Sequence, residues 1–442
     1  MRIIHSRRPA RLVIAAATLA LAAAACGGGD EGGGGGGAAS QDLKGTTLEV
    51  AAVWTGAEQE NFKKVLAAFS DKTGATVNLT PTGDNVSTFL GSKIQGGAPP
   101  DVAMLPQQGV LVQFAKQGAL KPIGSDAEKA LDENYSKIWK DFATVDGKVY
   151  GVYFKAANKS TVWYRSAAFD DAGVQPPATW DDFVKACQTI SDSGVTPLAI
   201  AGADGWTLTD WFENVYLSQA GTDNYDKLSK HEIKWTDPSV VKALETLGQL
   251  WSKSNLIVGG SKGALQTDFP TSVTNVFGDS PKGAIPGVVA DFVAGVISSS
   301  TKAKVGTDAK IFQFPKVGDE APVVSGGDVA VAMKDNDGAK ALIAFLASPE
   351  AAKVWAQAGG YLSPNKNLDN SAYPDDTFKQ MGKALIDAGD NVRFDMSDLA
   401  PAAFGGTKGA GEWKDLQDFL AAPTNAQAAA QKLEADAAAA FK

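Results

Sequence analysis

The stretch LEVAAVWTGAEQENFKKVLAAFSDKTGATVNLT, residues 48–80, decides the fold class. Residues 48–54 are rich in β-forming side chains and predict a strand. Apolar side chains then recur at the spacing of one helix face, at Phe62, Val65, Leu66 and Phe69. Gly74 stands where a helix C-cap is expected, and a second strand is predicted around Val77–Thr80. A strand, a helix and another strand in this order favour a parallel sheet with helices on its faces.

The same alternation continues along the chain. Further strands are predicted at 101–105, 161–165, 196–200, 309–315 and 328–333, and residues 148–154 resemble a hairpin. Thr179 followed by Asp181 and Asp182 is typical of a helix start, as is Ser348 followed by Pro349. An Ala-rich helix is predicted near residues 425–441. The pattern indicates an α/β fold with parallel-rich sheets flanked by helices.

The first residues have the features of an export signal. Residues 1–25 carry four arginines and then an apolar run that is too short for a membrane span. Ala23, Ala24 and Ala25 precede Cys26 as in a lipobox, so we expect residues 1–25 to be removed and Cys26 to be lipidated. The glycine-rich residues 26–44 would then form a flexible tether. These features predict a protein held by its lipid anchor alone at the extracytoplasmic face of the cell membrane; a soluble secreted protein is the alternative, and Sec and twin-arginine export both remain open.

Composition narrows the function classes. The chain of 442 residues has a formal net charge of −9, which becomes about −13 without the four arginines of residues 1–25, so nucleic acid is not an expected partner. His231 is the only histidine outside that segment, and Cys187 fits a helix core position. A zinc site or a Ser-His-Asp hydrolase is therefore not expected, and neither is any cofactor or metal. About 400 residues after the tether are enough for two cores.

Aromatic, carboxylate and amide side chains follow several predicted strands. Ligands collect beyond the carboxyl ends of strands in open α/β sheets. A flat ring can cover the C–H face of a pyranose while carboxylates and amides bind its hydroxyls. The candidate ring platforms are Trp54, Trp206, Trp211, Phe292 and Tyr361. The polar candidates among these loops include Glu58, Asp84, Asp210 and Asp328.

Ordinary structural roles stand beside these binding roles. Trp211 lies at helical spacing from other aromatics and is equally suited to a core, whereas Trp206 follows Gly205 in a loop, where an unbound tryptophan has little reason to stand. The acids Glu58, Asp84 and Asp210 also fit helix starts. Asp328 follows two glycines and would also suit a turn.

Several long motifs resemble one known family. They are WTGAEQENFKKVLAAFSDKTG (54–74), GGAPPDVAMLPQQGVLVQFAKQGALKPI (96–123), YGVYFKAANKSTVWYR (150–165), PPATWDDF (176–183), GWTLTDWFENVY (205–216), SPEAAKVWAQAGGYLSPN (348–365) and RFDMSDLAPAAFGG (393–406). From residue 46 onward the chain is similar to the extracellular solute-binding proteins of carbohydrate ATP-binding cassette (ABC) importers, most of all their α-glucoside branch.

The resemblance implies a two-lobed periplasmic-binding fold (type II) with a multi-strand hinge. We expect residues 45–156 plus 309–347 in the N-terminal lobe and 157–308 plus 348–442 in the C-terminal lobe. The ligand contacts that it implies are Trp54, Thr55, Glu58, Gln107, Asn158, Asp291, Phe292 and Arg393. Where relatives often carry YEGDFVAG, this chain reads VVADFVAG, residues 288–295.

The predicted function is that of a monomeric receptor, not an enzyme, which captures an oligosaccharide, most simply an α-glucoside disaccharide, for the permease subunits of an ABC importer. One alternative keeps the fold and binds a polyol or another small polar solute. A second is a lipid-anchored glycosidase that uses two carboxylates among Asp210, Glu213 and Asp291.

Overall fold

The computed structural model describes residues 42–287, 290–319, 321, 323–389 and 392–442. The predicted signal peptide 1–25, the lipidation site Cys26 and the tether up to residue 41 lie outside the described residues. Within the described ranges, no helix has both the length and the apolar character that a membrane crossing requires.

The strands are β1 (Thr47–Ala52), β2 (Thr76–Pro81), β3 (Val102–Leu105), β4 (Thr144–Val145), β5 (Lys148–Val149), β6 (Gly151–Asn158), β7 (Thr161–Arg165), β8 (Thr196–Leu198), β9 (Gly283–Ile285), β10 (Ala309–Gln313), β11 (Val324–Ala332) and β12 (Arg393–Phe394). The first ten helices are α1 (Gly56–Thr73), α2 (Val86–Gln95), α3 (Gln108–Lys116), α4 (Ser125–Asn134), α5 (Lys137–Phe142), α6 (Ser166–Ala172), α7 (Trp180–Asp192), α8 (Trp206–Ala220), α9 (Thr222–Ser229) and α10 (Pro238–Trp251). The later helices are α11 (Gly260–Ala264), α12 (Phe269–Phe277), α13 (Val293–Ser300), α14 (Asp337–Leu346), α15 (Pro349–Ala356), α16 (Asp376–Ala388), α17 (Met396–Leu399), α18 (Ala402–Gly405), α19 (Gly411–Ala421) and α20 (Ala426–Ala440).

Helix starts follow the sequence signals closely. Thr179 accepts a hydrogen bond from the backbone N–H of Asp182, and Ser348 accepts one from Ala351. Asn425 caps α20 in the same way. These side chains satisfy N–H groups that a helix leaves unpaired at its start, which explains why the predicted boundaries are confirmed.

The main sheet is parallel-rich, as predicted, but mixed, since three of its five strand pairs are parallel. Its strand order is β12–β11–β3–β1–β2, and β6 also pairs with β11. β1 is parallel to β2 and β3, whereas β11 is antiparallel to β3 and β6. The parallel strands are linked by helices, as the alternation predicts, but β11 enters from the opposite direction after the chain has passed through β7 and β10. A second parallel pair joins β8 to β9.

A bulge interrupts the pairing of β6 with β11. Asp328 lies opposite Lys155, but the next residue of β11, Val329, lies opposite Tyr153. Phe154 is therefore the extra residue of the bulged strand, β6. Its carbonyl oxygen accepts a hydrogen bond of 2.7 Å from the hydroxyl of Tyr361.

Buried apolar side chains form two clusters. The first core contains the main sheet with helices α1, α3 and α14, and the second contains α7, α8, α10 and α20. The chain passes from the first core to the second between Ala156 and Val162, returns between Val324 and Val329, and passes to the second again between Phe394 and Met396. Trp163 and buried residues of α12 and α13 also pack in the first core. Cys187 is a buried free thiol of the second core, as predicted.

The cores differ in part from the predicted lobes. Trp355 and other buried residues of 348–394 pack in the first core, although the prediction placed 348–442 in the C-terminal lobe. The reason is aromatic packing, since the ring of Trp355 lies 4.7 Å from that of Trp54 and 6.0 Å from that of Phe62. Residues from Met396 onward do pack in the second core. The exact lobe boundaries stay a prediction.

Candidate functional site

The carboxyl ends of the first sheet carry one group of polar side chains. β1 and β3 end at Ala52 and Leu105, and the chain then leads to the start of α1 and to Gln107. Because β11 runs in the opposite direction, Asp328 reaches the same edge, one residue before Val329, which lies opposite Leu105. This is the edge at which α/β sheets bind ligands.

The carboxyl ends of the second parallel pair carry aromatic rings. The chain after β8 leads to Trp206, the first residue of α8, and the chain after β9 leads to Asp291 and Phe292 at the start of α13. The ring centroids of Trp206 and Phe292 are 6.2 Å apart in an edge-to-face contact. Both rings are partly exposed, so each retains a free surface.

Lys155 joins the two groups. Its Nζ lies 2.5 Å from Oε1 of Glu58 and 4.7 Å from the ring centroid of Phe292. Burial acts to lower the pKa of this lysine, but the carboxylates of Glu58, Asp328 and Asp291 outweigh it and hold the pKa above its usual value. The side chain is therefore an ammonium that ties the first sheet to the start of α13.

Two carboxyl groups of the site titrate near neutrality. Burial raises the pKa of Asp291 to about 6 and that of Asp328 to about 6, even though Lys155 opposes both shifts. The indole N–H of Trp54 donates to Oδ2 of Asp328 at 3.1 Å. The protonation of both carboxyl groups therefore depends on small changes in pH and in neighbouring charges.

Asp291 has a carboxylate oxygen without a partner. Its Oδ1 accepts a hydrogen bond of 3.3 Å from the backbone N–H of Asn158, and its side chain is fully buried. No donor in the described part of the chain reaches Oδ2. A buried acceptor of this kind is costly unless a donor from outside the chain satisfies it.

Three residues that were predicted to contact the ligand follow strands of the first sheet. Thr55 is exposed and stands directly before α1. Gln107 stands directly before α3 and is partly buried. Asp84 lies in a single 3₁₀ turn, Gly83–Asn85, and its side chain is outside the described part of the structure.

Trp211 and Tyr361 serve as core residues in this structure. The ring of Trp211 is buried and stacks on Phe183 in the second core. Tyr361 is fully buried against Trp355, and its hydroxyl donates to the carbonyl oxygen of Phe154 in the bulge of β6. Helical spacing placed Trp211 on the inner face of α8, which was the alternative that the sequence left open.

Asp210 belongs to a different cluster. Nζ of Lys159 lies 3.5 Å from Asp210 and 3.5 Å from Asp398, and it also donates a short hydrogen bond to Asp395. Burial and the neighbouring Asp395 raise the pKa of Asp398 to about 8. Lys159 lies between β6 and β7. This ion cluster therefore stabilises the segment in which the chain passes from the first core to the second.

The other candidates in this region also have protein partners. Nε of Arg393 lies 2.7 Å from Oδ1 of Asp226. Glu213, a carboxylate of the glycosidase alternative, accepts hydrogen bonds from the backbone N–H groups of Met396 and Ser397. Glu213 therefore acts as a helix cap for α17 in this structure.

Lys155 and Lys159 were not among the predicted residues. Both lie in KAANKS, residues 155–160, which follows a predicted strand. A lysine inside an otherwise apolar run, GVYFKAAN, residues 151–158, is the signal that could have identified Lys155, because a buried lysine needs paired carboxylates.

A cavity of about 680 Å³ lies elsewhere, between α7, α10 and residues 316–319. Its only aromatic wall is Trp180, which is buried and donates to Gln249, so it offers no free ring. Among the described residues, no group of three or more His, Cys, Asp or Glu side chains could hold a metal ion. The candidate site is therefore the region around Lys155, where the carboxyl ends of the first sheet and of the β8–β9 pair meet.

The chain is similar in sequence to proteins of one family. The profile of the bacterial extracellular solute-binding proteins matches residues 54–353. The osmoprotective compounds-binding protein GgtB of Synechocystis sp. is 34% identical over 389 residues, which are 86% of this chain and 89% of GgtB. The alpha-glucosides-binding periplasmic protein AglE of Rhizobium meliloti is 34% identical over 405 residues, which are 88% of this chain and 86% of AglE.

Solved structures match over nearly the whole chain. The bacterial solute receptor AcbH, described with an exclusive preference for β-D-galactopyranose, has a TM-score of 0.79 at 22% identity and covers 90% of this chain and 100% of its own. A chitin oligosaccharide binding protein has a TM-score of 0.74 at 20% identity and covers 90% of this chain and 99% of its own. At these identities the likeness concerns the fold.

Proposed function

Because this chain belongs to the bacterial extracellular solute-binding proteins and has their two-lobed fold, we propose that it captures an α-glucoside-type disaccharide for an ABC importer. The ligand lies between the two strand edges, against Trp206 and Phe292. The permease subunits of the importer are its partners, and the receptor works as a monomer without catalysis. The relative AglE, which is named for alpha-glucosides, supports this choice of sugar.

One observation carries the proposal. Oδ2 of Asp291 is a buried acceptor with no donor among the described residues, and it stands beside Phe292 at the junction of the two groups. A sugar hydroxyl supplies the missing donor while its C–H face covers an aromatic ring. Binding of one molecule to both lobes would favour the closed arrangement of the lobes.

Calorimetry tests the proposal. Maltose, trehalose and sucrose are titrated into the purified chain, and at least one is expected to bind with micromolar or tighter affinity. Asp291→Asn should weaken that binding by about tenfold or more, because an amide is a weaker acceptor than a carboxylate. No heat and no thermal shift with any glucoside would contradict the proposal.

The name of the relative GgtB supports a second candidate, a polyol or other small osmoprotective solute. The same orphan carboxylate would then bind a hydroxyl of an acyclic ligand. Glycerol and sorbitol in the same titrations distinguish the two, since a polyol receptor binds them at least as tightly as maltose.

We also propose that Cys26 carries a lipid anchor that keeps the receptor near the permease. A tethered receptor stays at high local concentration while it turns freely. Cys26→Ser should release the protein from the membrane fraction of its host, and an unchanged distribution would contradict the anchor.

A further inference from the structure

Residues 406–413, here called the flank segment, connect the two groups of the site. At its start, a Cβ built on Gly406 would lie only 2.6 Å from Nε2 of Gln107, two residues after the end of β3. At its end, a Cβ built on Gly205 would lie 2.8 Å from Cβ of Trp413. The flank segment thus runs from the first strand edge to the start of α8.

Glycine at position 205 permits this approach. Its φ of +83° is one that other residues rarely adopt, and its missing side chain leaves the space that Trp413 fills. The next residue is Trp206, which packs edge-to-face on Phe292. Trp413 therefore stands beside the aromatic part of the site although it lies 207 positions later in the chain.

Trp413 has a hydrogen-bond donor without a partner among the described residues. Its indole Nε1 has no hydrogen-bond partner among the residues that the structure describes, and the side chain is only partly buried. Three core tryptophans, Trp235, Trp251 and Trp355, also have an unpaired N–H, so the position of Trp413 beside Trp206 carries the inference and its free donor only adds to it. The middle of the flank segment is exposed, and Nζ of Lys408 lies 3.8 Å from Oδ1 of Asp204.

We propose that the flank segment is a side wall of the binding cleft and that Trp413 is a second aromatic platform beyond Trp206. The inference rests on the proposed sugar-binding function and deepens it. One pyranose lies against the exposed surface of Phe292, within reach of Asp291, and the next unit of the ligand lies against Trp413. The preferred ligand consequently has at least two sugar units.

The test compares ligands of different length on matched variants. Glucose, maltose and maltotriose are titrated into the wild type, Trp413→Ala, Trp413→Phe and Lys414→Ala. Lys414 is the neighbouring residue of α19 and pairs with Asp418 of the same helix, so its variant controls for a disturbed helix. Trp413→Ala is expected to weaken maltose binding at least tenfold and glucose binding less than threefold, while Trp413→Phe loses less than Trp413→Ala.

A second measurement does not depend on a folded alanine variant. In wild-type protein labelled with 5-fluorotryptophan, the ¹⁹F resonance that is missing from Trp413→Phe is assigned to Trp413. Maltose should shift this resonance, and glucose should shift it much less. Equal losses for glucose and maltose in Trp413→Ala, or a resonance that does not respond to maltose, would overturn the inference while the wild type still binds sugar. A wild type that binds no sugar would overturn the proposed function, and the inference with it.

Discussion

The indole N–H of Trp54 donates a 3.1 Å hydrogen bond to Oδ2 of Asp328, a residue 274 positions later in the chain. The bond joins the end of β1 to β11. Lys155 lies opposite Asp328 on β6. The carboxyl group is therefore fixed in orientation before any ligand arrives.

The first prediction concerns the pH dependence of sugar binding. Asp291 and Asp328 both have a pKa of about 6. Their charged forms are the stronger acceptors for sugar hydroxyls, so the affinity should fall as the pH is lowered from 7.5 through 6 to 5. Calorimetry at these three pH values measures the change. The double variant Asp291→Asn, Asp328→Asn is the control and should bind weakly with a flat profile; a flat profile in the wild type would contradict the prediction.

The second prediction concerns the stability of Asp291→Asn without ligand. The pKa of Asp291 is higher in the folded protein, about 6, than in an unfolded chain, about 3.9. Such a group favours folding below pH 4, and this contribution is lost as the pH rises through 6. At pH 7 the variant should thus have a free energy of unfolding higher than the wild type, by about 1–3 kcal/mol.

Urea denaturation at pH 7 and pH 4 measures this difference, which should disappear at pH 4. A variant less stable than the wild type at pH 7 would show that the charged carboxylate holds the fold together. Together with its expected loss of sugar affinity, a more stable Asp291→Asn would show that the site sacrifices stability for binding.

The third prediction concerns Lys155. Lys155→Met removes the partner of Glu58 and leaves Asp291 and Asp328 without a nearby cation. Loss of one member of a buried ion pair costs about 3–5 kcal/mol, and we expect about 2 kcal/mol here because the Glu58 side chain is 41% exposed. The double variant Lys155→Met, Glu58→Gln should recover part of the loss. Equal stability of Lys155→Met and the wild type in urea would contradict this role.

The fourth prediction separates two tryptophans of α8. Trp206 is partly exposed beside Phe292, so Trp206→Ala should weaken sugar binding at least tenfold with little loss of stability. Trp211 is buried in the second core, so Trp211→Ala should destabilise the fold by about 3–5 kcal/mol. Thermal denaturation and calorimetry on both variants check the assignment, and the reverse pattern would make Trp211 the platform.

The sequence was most informative about local structure. Strand and helix alternation predicted the α/β class because apolar periodicity reports directly on which faces are buried. It did not predict that β11 is antiparallel to β3, since strand direction depends on where the chain returns to the sheet. The position of Trp355 in the first core depends in the same way on a contact with Trp54, 301 positions away.

The site was predicted in part for the same reason. Glu58, Asp291, Phe292 and Asp328 follow strands in the sequence, and the fold brings them together around Lys155. Helical spacing left Trp211 equally suited to a core and to a site, and only the orientation of α8 shows that it is buried. Trp413 carries no local signal, because its role depends on the space at Gly205.

The bulge at Phe154 also has a consequence for comparing relatives. Phe154 and Lys155 both lie opposite Asp328, because β6 has two residues there where β11 has one. The ring of Phe154 packs against Trp355 and Tyr361 in the first core, and Nζ of Lys155 lies 5.8 Å from the ring centroid of Trp355. The extra residue therefore lets one level of the strand supply both a core ring and the ammonium of the site, and a homologue without it has room for only one of the two.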